Sequence, residues 1–600
     1  LKSNDENVAI WSAGSGIISA ASERSREVWE ETMRSGNFLS LQRWLNLQEY
    51  LIKYRAAGLI EMSSAIEDGT LVAEDAPKAF ERGLLITTIQ VRAEETNLDV
   101  FDSAAQNRRV EAFITALNDR RERAQKVIPY YLFKSRKISA GVTTGKVGDF
   151  RREINSPSKR RRGRSIRLLI ERYPGIISDL VPCFLMSPDS VAQFLPPGSI
   201  KFDIVVFDEA SQIMVADAIG SIGRSASCVI VGDSKQMPPT KIGVVDNSGD
   251  EELSDLVEDV ADLEDEESIL DEAIRAGFHE ELLTWHYRSQ DESLIAFSNE
   301  NYYDSRLSTF PAPVEFRSDC GVFYRRVEGQ FDHGKSRTNL IEAKAIIEEI
   351  IKRLDDPATA NLSYGVVTLN IQQRNLIGDL LDQNEDARIR ELRETEDKKR
   401  RLFVLNLENV QGRERDVIIM GTAFSKRVGG GSLPLNFGPI KNKGGERRLN
   451  VAVTRAKRQF VVVSSFDPEE MAGAKTLGMI HLREYLKTAR RRSARTDVET
   501  SPHETAPYVQ LIAKRLEDRG IKVQIGKGLS KFKIDMALTL PEMGDTWLVA
   551  ALFDSDEWSR RALAIDRDAL PVTVLENVMK WRKVVRVWMP SIRLELDEVV

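Results

Sequence analysis

Two adjacent carboxylates, Asp208 and Glu209, close a short apolar run, Phe202-Asp203-Ile204-Val205-Val206-Phe207. A carboxylate at the end of such a strand can hold magnesium through its hydration shell, and its neighbour can polarise an attacking water. An acidic pair alone fits an ordinary surface equally well, so the residues that follow decide. Gly232-Asp233-Ser234-Lys235-Gln236-Met237-Pro238-Pro239 ends the next apolar run, Cys228-Val229-Ile230-Val231, and sets Gln236 beside the same point. His286-Tyr287-Arg288-Ser289-Gln290 offers a cation. Further along come Gln411-Gly412-Arg413-Glu414-Arg415-Asp416 and Arg448-Leu449-Asn450-Val451-Ala452-Val453-Thr454-Arg455-Ala456-Lys457. Guanidinium donors suit charge spread over phosphoryl oxygens. Near the end of the chain, Asp535 and Asp554 fall on two successive strands. Such a pair could share a metal that activates water against a phosphodiester, with Glu504 as a third ligand. His503 is close by, but an isolated histidine carries little.

These side chains need elements to hold them. Residues 27–51 and 105–130 carry apolar positions at three- and four-residue spacing among charges, which predicts a helical arm. A basic run follows, with Arg160, Arg161 and Arg162 at its centre, suited to phosphate contact or to a solvated face. From residue 182, short apolar strands alternate with helical stretches, which predicts a parallel sheet covered by helices on both faces. Polar groups at the C-terminal ends of such strands are where ligands bind. A second set of strands is expected at residues 364–369, 402–405, 417–420 and 460–463. Residues 246–267 hold twelve acids and no base, which predicts a loop. Residues 486–502 read as a polar, basic linker, and a last unit of helix and strands begins near residue 503. The expected divisions are therefore 1–180, 181–319, 320–485, 486–502 and 503–600.

With these motifs in this order, the chain resembles superfamily-one helicases, in the group that includes the RNA-decay helicases. It is closer still to large bacterial multidomain proteins of that group, of the AAA/DUF4011 type, and the likeness covers about residues 180–480. The resemblance implies an α/β fold of two RecA-like, P-loop-NTPase-type domains with a helical insertion, using ATP and Mg2+. Asp208 would coordinate magnesium and Glu209 would be the base for water. Gln212 and Gln236 would sense the γ-phosphate, and Arg288 and Arg455 would reach across the cleft. Gln411, Gly412, Glu414 and Arg448 would couple the second domain to nucleotide and strand. Residues 365–370, Thr368 and Asn370 among them, with Gln372, resemble the segment lining a single-strand path. Ser187 and Ser190 either contact phosphates or cap a helix starting near Pro188. The implied partner is single-stranded nucleic acid, DNA before RNA, with defence-system proteins as further partners and a cytoplasmic setting without a membrane.

Residues 503–595 resemble the small very-short-patch-repair type of PD-(D/E)xK endonuclease. Its active members carry another acid two residues before the position of Asp554, where this chain has Leu552. That departure favours a degenerate module that binds DNA over one that cleaves it. A second departure is larger. No Gly-x-x-x-x-Gly-Lys-Ser/Thr precedes the Asp208 strand, where the resembled family carries its phosphate loop; the nearest imitation there, residues 141–148, has Val147 after Lys146 and no apolar strand before it, and the pattern occurs only downstream, at Gly329 to Ser336. The chain begins at Leu1, and it is expected to be the C-terminal part of a longer protein.

Composition sets the outer limits. Ninety-two acids against 85 bases give a net charge of −7, which does not exclude a basic groove for nucleic acid. Three widely spaced cysteines, Cys183, Cys228 and Cys320, cannot build a cysteine zinc site and suit a reducing compartment. No run of apolar residues is long enough to span a membrane.

Overall fold

A computed structural model describes residues 30, 34, 38–72, 74–136, 144–155, 165–239, 268–314, 319–334, 336–427, 431–494 and 506–594. The acidic stretch expected as a loop, Arg160, Arg161 and Arg162, and His503 and Glu504 lie outside these residues. The chain divides into two units, residues 1–102 and 103–600. In the first, helices run Phe38–Ala56, Ile60–Glu67 and Ala76–Thr96. The last begins with Pro77 in its first turn and stops where Asn97 turns left-handed, a conformation asparagine tolerates better than most residues.

The second unit opens with the helix Ser103–Ser135, as the apolar spacing predicts. The helix Gly145–Asn155 takes in residues 145–148 of the imitation phosphate loop. Three small sheets follow. In the first, β1 (Phe202–Phe207) pairs in parallel with β2 (Ser225–Ile230). Only one face of this pair is covered among the described residues. Val205, Phe207, Cys228 and Ile230 pack against Ala218 and Ile269, while Ile204 and Val206 on the other face are 50% and 59% exposed. The expectation of helices on both faces is therefore not met at this pair among the described residues.

It is met in the second sheet, whose order is β3-β7-β6-β4-β5, all parallel. The strands are β3 (Gly321–Arg326), β4 (Tyr364–Thr368), β5 (Phe403–Asn406), β6 (Arg415–Gly421) and β7 (Ala456–Ser464). Alternate residues of β6 and β7 feed two separate cores: Ile418, Met420, Phe460 and Val462 enter one, and Val417, Ile419, Val461 and Val463 enter the other. Burial of both faces is why these strands read as continuous apolar runs. The helix Leu477–Ser493 buries Leu482, Tyr485, Leu486 and Ala489 on this sheet. The first half of the expected linker is thus helical.

The third sheet has the order β11-β10-β9-β8: β8 (Lys522–Lys527), β9 (Ile534–Thr539), β10 (Val549–Phe553) and β11 (Lys583–Val587). The helix Pro507–Asp518 packs Val509, Ile512 and Leu516 on one face. The other face takes Phe310 from far upstream into its core.

Candidate active site at the cleft

The turn after β1 is tight. Val231 N donates to Phe207 O and Ala210 N donates to Val231 O, which ties the ends of the two strands together. Glu209 takes a left-handed backbone conformation, φ 53°, and its amide is held by the Asp208 carboxylate at 3.0 Å. Gln212 donates to the Glu209 carboxylate at 3.4 Å. Gly232 is needed for this approach, since a Cβ there would lie 2.9 Å from Ser211 N and 3.1 Å from Ala210 N.

Gln236 faces both sides of the cleft. Its amide nitrogen donates to Asp233 at 2.9 Å, and its oxygen accepts from Arg455 Nη2 at 3.4 Å. Arg455 is buried; burial pushes its pKa below the usual arginine value, with Arg288 adding to this and Glu209, Tyr303 and Glu414 opposing it. Its Nε donates to Val451 O at 2.7 Å, fixing the side chain at the end of its own helix. Arg288 reaches Glu414 at 3.4 Å, and Lys457 reaches the same carboxylate at 2.5 Å. Burial works against ionisation of Glu414, but Lys457, Arg288 and Arg455 hold it below the usual glutamate range. His286 stays neutral near pH 7, its pKa lowered to about 4 by burial and then by Arg288. Glu209, Gln236, Arg288, Glu414 and Arg455 thus lie near one another, with Asp208 adjoining through the Glu209 amide.

Other candidates are used internally. Arg448 is buried on Glu408 at 2.6 Å. Gly412 turns the chain with φ +74°, and Gln411 keeps a buried amide nitrogen without a hydrogen-bond partner. Ser187 caps the helix Pro188–Phe194, accepting from Ser190 N at 3.2 Å, so capping accounts for this pair. The expected strand-lining segment is largely interior. Gly365 and Thr368 are buried, Thr368 donates to Asn370 O at 2.8 Å, and Asn370 caps the next helix. Close packing of the Phe403 ring, 2.4 Å from where a Gly365 Cβ would stand, explains that glycine. Only Gln372 of this group is partly exposed and not already engaged as a cap or in a buried hydrogen bond.

Sequence reading did not single out three residues that join the two sides. Tyr303 donates to Asp233 at 2.7 Å, and Asn450 donates to Tyr303 Oη at 3.2 Å and to Lys235 O at 2.9 Å. Burial first, then Asp233, raises the Tyr303 pKa far above the usual tyrosine value, so it stays a donor. Asn450 Oδ1 is buried with no partner. A polar asparagine wholly buried within a helix was the available signal.

An AAA-domain model matches residues 72–243, and a second AAA-domain model matches residues 266–467. The chain is 31% identical over 333 residues to an uncharacterised ATP-dependent helicase of Mycoplasma genitalium, covering 52% of this chain and 27% of that protein. It is 28% identical over 274 residues to an uncharacterised ATP-dependent helicase of Methanocaldococcus jannaschii, covering 44% of this chain and 36% of the other. With the DNA-binding protein SMUBP-2 of Mus musculus it shares 24% identity over 335 residues, 53% of this chain and 30% of that protein. With its two AAA-domain matches, the chain is similar to ATP-dependent helicases over about half of its length. It spans only about a quarter to a third of the length of these relatives. No helix among the described residues is long and apolar enough to cross a membrane.

Beyond the two matched domains, Asp535 and Asp554 line one hollow of about 420 Å³ in the C-terminal unit. Each already accepts a backbone N–H, Asp535 from Phe553 at 2.9 Å and Asp554 from Met589 at 2.7 Å. Burial lifts Asp535 to about 6 and raises Asp554, with the buried Arg586 pulling both back. Among the described residues no three metal-binding side chains cluster. Arg586 lines the same hollow, and Glu504, the expected third ligand, lies outside the described residues, so no metal step is derived there.

Proposed function

We propose that this chain is the motor part of an ATP-dependent helicase or translocase acting on single-stranded or partly duplex DNA. The observation that carries the reading is the meeting of Gln236 and Arg455 across the cleft at 3.4 Å, beside Asp208 and Glu209. In this reading Asp208 holds magnesium and Glu209 accepts a proton from water. Magnesium, when bound, supplies charge that offsets phosphoryl oxygens. Arg455 and Arg288 meet charge developing on the transferred group, and Gln236 reports its presence to the Asp233–Tyr303–Asn450 relay. The donor set fits the water side of such a site: two carboxylates at a strand end, a glycine cradle at Gly232, and unpartnered polar atoms on Gln411 and Asn450.

The relatives are named ATP-dependent helicases and a DNA-binding protein, which supports ATP and DNA as the ligands. In this reading the C-terminal unit is a nuclease-derived module that binds DNA without cutting it, because Leu552 stands where active relatives carry an acid. A motor-coupled nuclease of a prokaryotic defence system, working with partner proteins, would instead show magnesium-dependent nicking that Asp535→Asn abolishes. One observation favours a clamp that does not turn over: no Gly-x-x-x-x-Gly-Lys-Ser/Thr precedes the Asp208 strand in these residues, and the one downstream, Gly329 to Ser336, has its Ser336 hydroxyl on Asp332 at 3.0 Å. The test is ATP hydrolysis by the full chain with and without single-stranded DNA, beside Glu209→Gln. Strand-stimulated turnover lost in the variant supports the motor. Salt-sensitive DNA binding with no turnover supports the clamp.

A further inference from the structure

A hollow of about 740 Å³ lies against β5, the edge strand of the second sheet. Six bases line it against two acids, Asp382 and Glu394. Two of the six build its wall. Arg393 holds Asp382 at 2.7 Å. Arg415 lies over the Phe403 ring at 4.7 Å and donates to the carbonyls of Lys398, Arg401 and Glu414. The other four, Arg390, Lys398, Arg401 and Arg413, have no carboxylate within ion-pair distance among the described residues. Elsewhere the chain pairs Arg325 with Glu348 and Glu349, Arg388 with Asp355 and Asp386, Arg490 with Glu469 and Arg492 with Asp291. Burial, then the neighbouring Arg413, lowers the Arg415 pKa. Six cations against two carboxylates, one of them held by Arg393, leave the hollow with an excess of positive charge.

Position separates the hollow from the segment expected to line a strand. Phe403 and Arg415 are the first residues of β5 and β6, whereas Asn370 and Gln372 follow the last residue of β4. These strands are parallel, so the two places lie at opposite ends of the sheet, about 15 Å apart at about 3.3 Å per residue. Arg413 adjoins Glu414, the carboxylate that Arg288 and Lys457 share.

We propose that this hollow binds a run of phosphates, a stretch of nucleic-acid backbone held by Arg390, Lys398, Arg401 and Arg413. The proposal rests on the nucleic-acid reading above. Recognition is of charge and is indifferent to base, since the cations face phosphates and the apolar floor is edge-strand backbone. The test is the salt dependence of binding by the full chain to labelled single-stranded DNA of about 20 nucleotides, with single alanine variants and the quadruple variant. Each lost phosphate contact should lower the slope of log K against log salt by about 0.7, and the quadruple change by about 2 to 3. Arg390→Lys and Arg413→Lys should keep most of the slope. Wild-type DNA binding whose slope is unchanged in the quadruple variant overturns the proposal. Self-association of that variant on gel filtration would then assign the bases to guarding an open strand edge. If the wild-type chain binds no DNA, the nucleic-acid reading itself fails. Titration with inorganic tripolyphosphate then decides the site: heat lost in the quadruple variant keeps a free polyphosphate as ligand, and no heat in the wild type removes the site.

Discussion

Glu292 stands four residues beyond Arg288 and is 8% exposed. Both its oxygens accept from Leu529 N at 3.2 Å, and the Thr309 hydroxyl donates to one of them. Burial lifts its pKa to about 7, against the hydrogen bonds from Thr309 and Leu529; Asp291 raises it further and Lys527 lowers it. Asp291 is itself held by Arg492 at 2.7 Å. From a starting value of 4.5, the rise spans between two and three pH units. Between about 4.5 and about 7 the folded chain holds a proton that the unfolded chain has released, so stability falls as pH rises through that window and levels above it. At about 1.4 kcal/mol per unit the ceiling is about 3 kcal/mol. Glu292→Gln keeps the shape and removes the titration. Urea unfolding of the full chain at about pH 5 and about pH 8 should show the wild type losing up to about 3 kcal/mol more than the variant. Comparing the two proteins cancels Glu342, which burial lifts to about 8 and which both share. Parallel losses in the two proteins would mean that Glu292 folds as a satisfied carboxylate, and the argument from burial would be wrong.

Gly232→Ala should push Ser211 and Ala210 off the Glu209 turn, since both clashing atoms are backbone; strand-stimulated ATP turnover should fall about 100-fold with the fold kept by circular dichroism. Arg455→Ala should lower kcat about 1,000-fold or more with a smaller change in KM, and Arg455→Lys should restore little, because a point charge lacks the guanidinium fork. Phe310→Ala, at a ring with 0% exposure, should cost about 3 to 5 kcal/mol in urea unfolding, and a loss below about 1 kcal/mol would show that the ring is not a true core residue.

The second sheet was legible because both its faces are buried, which forces unbroken apolar runs at β4, β6 and β7. The cleft residues were legible for a related reason: Asp208, Gln236 and Arg455 flank the ends of such runs. Burial at strand ends was not legible. Gly365, Thr368 and Asn370 look like a polar edge in sequence, yet Phe403 and the following helix cover them. The helix Leu477–Ser493 was half missed because Arg490, Arg491 and Arg492 read as linker, whereas they fill its last turn, where basic side chains favour the helix dipole. The Asp233–Tyr303–Asn450 relay joins residues 70 and 147 positions apart, and no local spacing encodes such a contact.

The segment 284–314 shows why the C-terminal unit belongs to the cleft's architecture. Its ends are pinned to each other, as His286 N donates to Ser308 O and Ser308 N donates to Thr284 O. Trp285 stacks on Phe310 at 5.2 Å and meets Phe532, with Arg561 over its ring at 5.4 Å. Trp547 N and Trp581 Nε1 then hold the carbonyls of Pro313 and Pro311, and Ser530 receives Thr309 N. Three residues after Trp285, Arg288 points to Glu414. One side of this short stretch is therefore core for the third sheet while the other supplies a cation to the cleft. A chain that lost the third sheet would leave Trp285 and Phe310 without their partners and Glu292 without Leu529, which are the contacts that fix where Arg288 begins. The packing of the third sheet thus reaches the segment that carries Arg288.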